Sequence, residues 1–567
     1  MGKDVSRSAA SAVLVLLAIT LSCGSQEATG PVLPPDAVVL TPGLAAAVVN
    51  GQQIEVVGGA SGGEFVLVVT DTATAGTGMS TFQLATNGIG VPGSVSPPST
   101  SRLPSASSFP ASSAAGARRL DIGFGSRLNE RYRRRFVPLF ASARGSISAS
   151  RSSRARSDVQ TGDVLTYNVS PSACDSIMNH GARVVAVGSQ AIIVEDTLNP
   201  AGGFSSAEYQ RFAANFDTLI YPLDVANFGA PTDIDQNGHV VILFTRAVNE
   251  LTERSSEAFV GGFFFARDLF PRVATSGLEG CPGSNVAEMF YLLAPDPSGT
   301  INGNVRTRGF VDSLTTGVIG HEFQHLINAA RRVYVNSASD FEVVWLNEGL
   351  SHIAEELLFY REGSLAPRQN LGVAAIRGSA AARNAFNQDQ AANAGRYRDY
   401  LQAPANNSPI RDDDSLATRG ATWNLLRYAA DRKLRAGGQE SAVWLALVNS
   451  TTTGVANLRA VVGPDVGGLI RDWSVSHYTD DVVGNVVADY TQPSWNWHDL
   501  YPALGGGGGS YPLLVTPLSG SGASGVVVPG GSVFYRFAVP ANTLAPIVLS
   551  GGSAAAGLAQ GTIVRIR

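Results

Sequence analysis

The stretch Thr316–Asn328, TGVIGHEFQHLIN, constrains what this chain can fold into more than any other. It contains no proline and one charge, Glu322, so it reads as a helix buried in a core. His321 and His325 are four residues apart and therefore lie one above the other on one helix face, about 6 Å apart in rise. Two imidazoles and a carboxylate on a short apolar helix are costly to bury without a shared partner. The spacing lets both rings reach one ion, while Glu322 between them addresses a water bound to it.

A catalytic zinc takes three protein ligands and keeps a fourth position open for water. The segment 343–359, VVWLNEGLSHIAEELLF, has helical periodicity, with Leu350, Ile353, Ala354, Leu357 and Leu358 as an apolar stripe. Glu348, His352, Glu355 and Glu356 all lie on or near it. Glu348, in the turn after Trp345-Leu346, is the expected third ligand. His352 shares its face and is expected behind the ligands or near the substrate. Glu355 and Glu356 are expected to be solvated or to stand behind the metal. These residues predict a zinc hydrolase, most simply a peptidase, in which Glu322 takes a proton from a zinc-bound water of lowered pKa and passes it to the leaving amine.

HEFQHLIN followed by WLNEGLSHIAEE resembles the hyicolysin family of bacterial secreted metallopeptidases and, more widely, the glutamate zincins. The metzincin pattern is absent: Asn328 stands where a glycine is needed and Arg331 where a third histidine is needed. The gap from His325 to Glu348 is a few residues longer than in thermolysin or aminopeptidase N. The resemblance extends over roughly 161–500, with softer matches at Asp233–Gly238, Gly261–Phe265 and Asp472–Tyr478. It implies an α+β zincin-like metallopeptidase domain, a mixed-sheet half and a helical half on either side of the zinc, flanked here by small all-β modules. It also implies a His or Tyr donor to the oxyanion; Tyr400, Tyr428, His477 and Tyr478 are candidates among which the sequence does not choose. An edge strand that pairs with an extended peptide is implied as well, and the β-favouring run Asn285–Leu293 is where to look for it, unless that run is an ordinary sheet strand.

Asp233, Asp235 and Asn237, followed by Gly238, resemble the first half of a calcium loop, so Ca2+ is weighed as a second ion beside Zn2+. Phe244 stands where the twelfth-position glutamate belongs. Either another segment completes the site, or the residues form an Asp/Asn/Gly turn feeding the strand His239–Phe244.

Composition places this unit in a larger chain. Its 567 residues, 44% hydrophobic, suffice for three or four domains, and a net charge of -5 argues against nucleic acid as a partner. Lys3 and Arg7 precede the apolar run Ala12–Ile19, too short to span a bilayer, so 1–23 reads as an export signal. Cys23 after it resembles a lipoprotein cleavage site and would attach the protein to a membrane. Cys174 and Cys281 remain, an even pair that suggests one disulfide in an exported protein. The expected organisation is a β-sandwich-like domain at 24–90, a Ser/Pro/Arg-rich linker at 91–160 with a short basic helix near 127–137 (Arg131, Arg133, Arg134, Arg135), and the peptidase domain at 161–500. A glycine joint at 501–509 and a closing β module at 510–567 follow.

The function expected is therefore an exported zinc-dependent endopeptidase acting on peptides or proteins. The alternatives are a non-catalytic surface-binding or adhesion protein on the same scaffold, or a zinc hydrolase of non-peptide bonds.

Overall fold

A computed structural model describes residues 37–92 and 159–567, apart from breaks at 76–77, 173, 255, 257, 276–277, 505–508 and 552–558, together with the backbone of 119–121. The export signal, Cys23 and the basic stretch 127–137 lie outside the described residues.

The flanking β regions expected as two modules are one sandwich. From the amino-terminal side come β1 (Ala37–Val38), β2 (Ala45–Val48), β3 (Gln53–Val57), β4 (Gly63–Asp71) and β5 (Ser80–Thr86). From the carboxy-terminal side come β14 (Val515–Pro517), β15 (Ala523–Val527), β16 (Ser532–Val539), β17 (Leu544–Gly551) and β18 (Ala559–Arg565). They alternate across two five-stranded sheets, β1-β3-β17-β5-β15 and β14-β16-β4-β18-β2. β4 is buried along most of its length between β16 and β18, with Val68 opposite both Phe534 and Thr562. The alternating patterns are hydrophobic-in and polar-out, as each strand's sequence predicts, but apart from β1–β3 and β14–β16 every pairing joins a strand of one segment to a strand of the other.

Between these halves lies a mixed six-stranded sheet, ordered β12 (Gly262–Phe264), β13 (Met289–Leu293), β10 (Val240–Thr245), β9 (Ala191–Asp196), β8 (Asn179–Val187) and β7 (Val164–Asn168). β9, β10 and β13 are parallel, and β12 runs antiparallel to β13 at the edge. The short β11 (Ala258–Val260) precedes β12 and pairs in parallel with β6 (Arg119–Asp121). The Cys174–Cys281 disulfide forms, joining the loop after β7 to the loop before β13.

The sheet packs on helices α1 (Ser206–Asn215) and α3 (Arg308–Ala330), and α2 (Tyr221–Phe228) lies against α3. The helical half follows: α4 (Val344–Gly363), α5 (Ala391–Gln402), α6 (Leu416–Lys433) and α7 (Val466–Thr479) are its main members. Its core is aromatic, with Trp423, Trp473, Trp495 and Trp497 around Tyr397 and Tyr400. The sandwich docks on this half through Val66 and Val68 of β4, Phe534 of β16, Val564 of β18 and Val475 of α7. A Ser532–Ser474 hydroxyl bond of 2.7 Å and the Ser532 amide to Pro404 carbonyl bond of 2.9 Å add to the contact. Among the described residues no helix is long and apolar enough to cross a membrane.

Candidate metal centre

α3 starts at Thr307, whose hydroxyl accepts from the Phe310 amide, and is buried almost continuously from Val318 to Ala330. α4 packs along it. A Cβ at Gly320 would come within 2.6 Å of Leu358 Cδ1, so glycine there lets the two helices close. Gly349 does the same on the far side, where a Cβ would meet Thr422 Cγ2 of α6 at 2.5 Å. Asn328 of α3 donates to Asn347 of α4 at 2.8 Å, fixing the register beside Glu348.

This packing brings three donors together as expected. His321 Nε2 and His325 Nε2 are 3.1 Å apart, and each lies 3.6 Å from a carboxylate oxygen of Glu348. Ligands about 2.05 Å from a tetrahedral zinc are separated by about 3.3 Å, so the triangle has the size that ion requires. The rest of each ring argues the same way. His321 Nδ1 is 2.8 Å from Glu355 Oε1, and His325 Nδ1 is 3.0 Å from Ser351 Oγ, whose proton goes to Gln324 Oε1 at 2.6 Å. With both Nδ1 atoms donating, two lone pairs face each other and a buried carboxylate whose oxygens have no hydrogen-bond partner. Such an arrangement calls for positive charge at its centre, a proton on His321 Nε2 or a metal ion, and the donor set fits zinc.

The electrostatics are strongly perturbed. Burial raises the Glu322 carboxyl to about 8; His321 and the Phe264 amide oppose that rise, while the Glu348 charge adds to it. Burial works against ionised Glu348 too, yet Arg419 and the two histidines hold its carboxyl well below the usual range. Arg419 Nη1 stands 3.8 Å from Glu348, while Arg419 Nε donates to Asp414 Oδ1 at 2.9 Å. For His321 burial lowers the imidazole pKa, but Glu348 and Glu355 outweigh it and raise the value to about 9; His325 is pushed down to about 3 by burial. Glu322 has one anchored and one presented oxygen: Oε2 accepts from the Phe264 amide at 2.8 Å, and buried Oε1 has no partner.

His352 lies one turn beyond Glu348, its ring 5.0 Å from that of His321 and its Nε2 4.0 Å from Glu348. Glu355 and Glu356 are buried, not solvated. Glu355 lies behind His321, and Glu356, turned away from the histidines, accepts from Arg427 at 2.8 Å and Trp495 at 2.7 Å. A second group, His321, His352 and Glu355, is also close enough to surround an ion. Its 2.8 Å Nδ1–Oε1 separation is a hydrogen-bond distance, shorter than the spacing of two ligands on one zinc.

The four oxyanion-donor candidates are elsewhere. Tyr400 stacks on Trp473 at 5.2 Å, and Tyr428 donates to the Asp489 carbonyl at 2.6 Å. His477 Nδ1 is 2.9 Å from Tyr397 Oη, and Tyr478 packs at the sandwich interface. Among the described residues no hydrogen bond or ring contact joins any of them to the three metal donors. Their spacing signals core packing in an aromatic-rich half, which sequence alone does not separate from catalysis.

Of the two readings of Asn285–Leu293, the ordinary sheet strand is the one that forms: β13 has neighbours on both sides, and among the described residues the edge is β12. Since the Gly261 carbonyl accepts from Leu293, strand alternation turns the Phe264 amide to the outer edge, where it meets Glu322.

At the acidic loop, Asn237 is used by the turn itself: its amide donates to Asp235 and its oxygen accepts from His239 N. Asp233 and Asp235 are joined instead by Glu288, which ends the segment before β13 and whose carboxyl burial raises to about 7. Glu288 accepts from Thr232 at 2.6 Å and from the Ile234 amide at 2.9 Å. Its distance along the chain hid it from a loop-based reading. Arg419 and Asn393 likewise carried no sequence signal, whereas Ser351 and Glu355, three and seven residues after Glu348, share its helix face.

No family model matches the chain. Over 148 residues the chain is 30% identical to the neutral metalloprotease ShpI of Staphylococcus hyicus. That match spans 26% of this chain and 30% of the relative. Over that part the chain is similar to a metallopeptidase, and its two histidines and glutamate are a donor group of the kind such an enzyme needs.

Proposed function

We propose that this chain is an exported zinc-dependent peptidase cleaving internal peptide bonds. One observation carries the reading: two imidazole lone pairs and an unpartnered carboxylate converge inside the protein beside a second carboxylate with one presented oxygen. His321, His325 and Glu348 would hold the metal. Zinc bound there polarises a carbonyl and acidifies water. Glu322 does the proton work. Its Oε2 stays tethered to the Phe264 amide while Oε1 takes the proton of the attacking water. As the water oxygen bonds to carbon and the carbon–nitrogen bond breaks, the same oxygen returns that proton to the departing amine. A cation at the neighbouring donors favours the carboxylate form this role needs.

The Cys174–Cys281 disulfide and the apolar leader with Cys23 support export and lipid attachment. The similarity to a metalloprotease supports the reaction class.

The test compares the purified full chain with Glu322→Gln for zinc content and casein degradation, each with and without 1,10-phenanthroline. The variant is expected to keep its zinc and lose roughly 10³-fold in rate. Unchanged turnover in the variant would sink the assignment of Glu322, and zinc bound without proteolysis by the unmodified protein would favour a binding role.

A further inference from the structure

α4 supplies more than a ligand. Glu348, Ser351 and Glu355 fall at helical spacing on one face, and each meets the metal centre differently. Glu348 presents its carboxylate, Ser351 accepts from His325 Nδ1, and Glu355 accepts from His321 Nδ1. Glu355 is in turn held from behind. Its Oε2 accepts from Asn393 Nδ2 of α5 at 2.8 Å and faces His352 Nδ1 at 3.3 Å. Arg396, one turn along α5, donates to Asn393 Oδ1 at 2.9 Å and puts its guanidinium 3.9 Å from the same carboxylate. The carboxylate is 4% exposed, so this arrangement is shielded from water.

We propose that Glu355, braced by Asn393 and Arg396, is a positioning residue that sets the tautomer and ring angle of His321, so that Nε2 always offers its lone pair to the metal. The inference rests on the zinc reading above and goes beyond it. An imidazole is free to carry its proton on either nitrogen; a fixed acceptor at Nδ1 removes that freedom and makes Nε2 more basic. Ser351 does the same for His325 with a neutral hydroxyl, so the two histidines are held unequally, one by a charge and one by a dipole. Because Glu348 and both partners share one helix, a single packing contact between α3 and α4 aligns ligands and supports together.

The test measures zinc affinity by competition with a chromophoric chelator on the full chain, with the visible spectrum of the cobalt-substituted protein as a second readout. Thermal unfolding of the metal-free forms checks folding. Glu355→Gln is expected to weaken zinc about 10–100-fold and to alter the cobalt spectrum. Ser351→Ala is expected to weaken zinc less. Asn393→Ala, which leaves Glu355 in place, should weaken it several-fold and decides the matter alone if the glutamine variant does not fold. Parent-like affinity and spectrum in the folded variants overturn the proposal. Absence of zinc binding by the unmodified chain instead overturns the metal reading on which it rests.

Discussion

The metal centre and the β-sandwich are assembled in opposite ways. All three candidate metal donors come from 321–348, on two consecutive helices pressed together, so the site forms from neighbours in the chain. In the sandwich, Val68 pairs with Phe534 and Thr562, on strands from the other end of the chain. For a flexible loop of several hundred residues, the length-dependent cost of closure is on the order of 5 kcal/mol. Here the intervening body is folded and brings the ends together, as the Leu514 amide to Leu401 carbonyl bond at 3.0 Å illustrates. The contrast teaches that the unit carrying the candidate metal centre is an insertion within the sandwich rather than a bead between two others. An amino-terminal segment reaching through β5 is therefore part of a shared core and cannot be shed as a separate prosegment without exposing β16, β17 and β18.

The sharpest way to break this comparison is to damage one region and watch the other. Glu348→Ala leaves two facing lone pairs with a single support, and zinc affinity should fall by roughly 10³-fold or more (on the order of 4 kcal/mol). Elemental analysis and chelator competition read this, while the sandwich should keep the parent's amide hydrogen-exchange protection in β4. Loss of that protection would mean that the two regions are energetically one.

The complementary experiment cuts the chain between them. A protease site inserted within 93–118 and cleaved should give two fragments that co-elute in gel filtration, because β3, β4 and β5 remain hydrogen-bonded to carboxy-terminal strands. Val68→Asp buries an unpaired carboxylate at 1% exposure and should cost about 3–5 kcal/mol, freeing the amino-terminal fragment of the cleaved protein. Fragments of the unsubstituted protein that separate without denaturant would contradict the shared core.

A smaller effect lies in the helical half that bridges the two. Burial raises the Asp431 carboxyl to about 6, against opposition from Arg427 and Ser494. The folded form thus holds a proton that the unfolded chain releases near pH 4. Stability from this group is complete below that pH and is lost as pH rises through about 6, by up to about 3 kcal/mol. Urea unfolding between pH 4 and 7 should show this fall, and Asp431→Asn should flatten it. An identical slope in the variant would assign the dependence elsewhere.

Much of the local structure was legible. Helices α3 and α4 and strands β4, β10 and β16 follow directly from apolar periodicity, because a strand or helix buries one face whatever lies against it. His321, His325 and Glu348 were legible for a related reason: helical spacing makes His321 and His325 neighbours on α3, and a short connection makes α3 and α4 neighbours. Tyr400, Tyr428, His477 and Tyr478 failed because an aromatic on an apolar stripe has the same sequence pattern in a core as in a cleft. Alternation in the two β regions predicted strands and could not predict that they interleave, since hydrogen-bond register is written in backbone groups common to every residue.

By itself the amino-acid sequence determined the element types, the polar face of α3 and which side chains on α3 and α4 are candidates to share an ion, all properties of residues within a few turns of one another. Only the tertiary structure decided which strand is the edge beside Glu322, that Glu288 joins the acidic loop, that Asn393 and Arg396 stand behind Glu355, and that the two ends of the chain share a core. Each of these depends on packing between segments distant in sequence, where the free energy comes from which surfaces meet and not from any local preference.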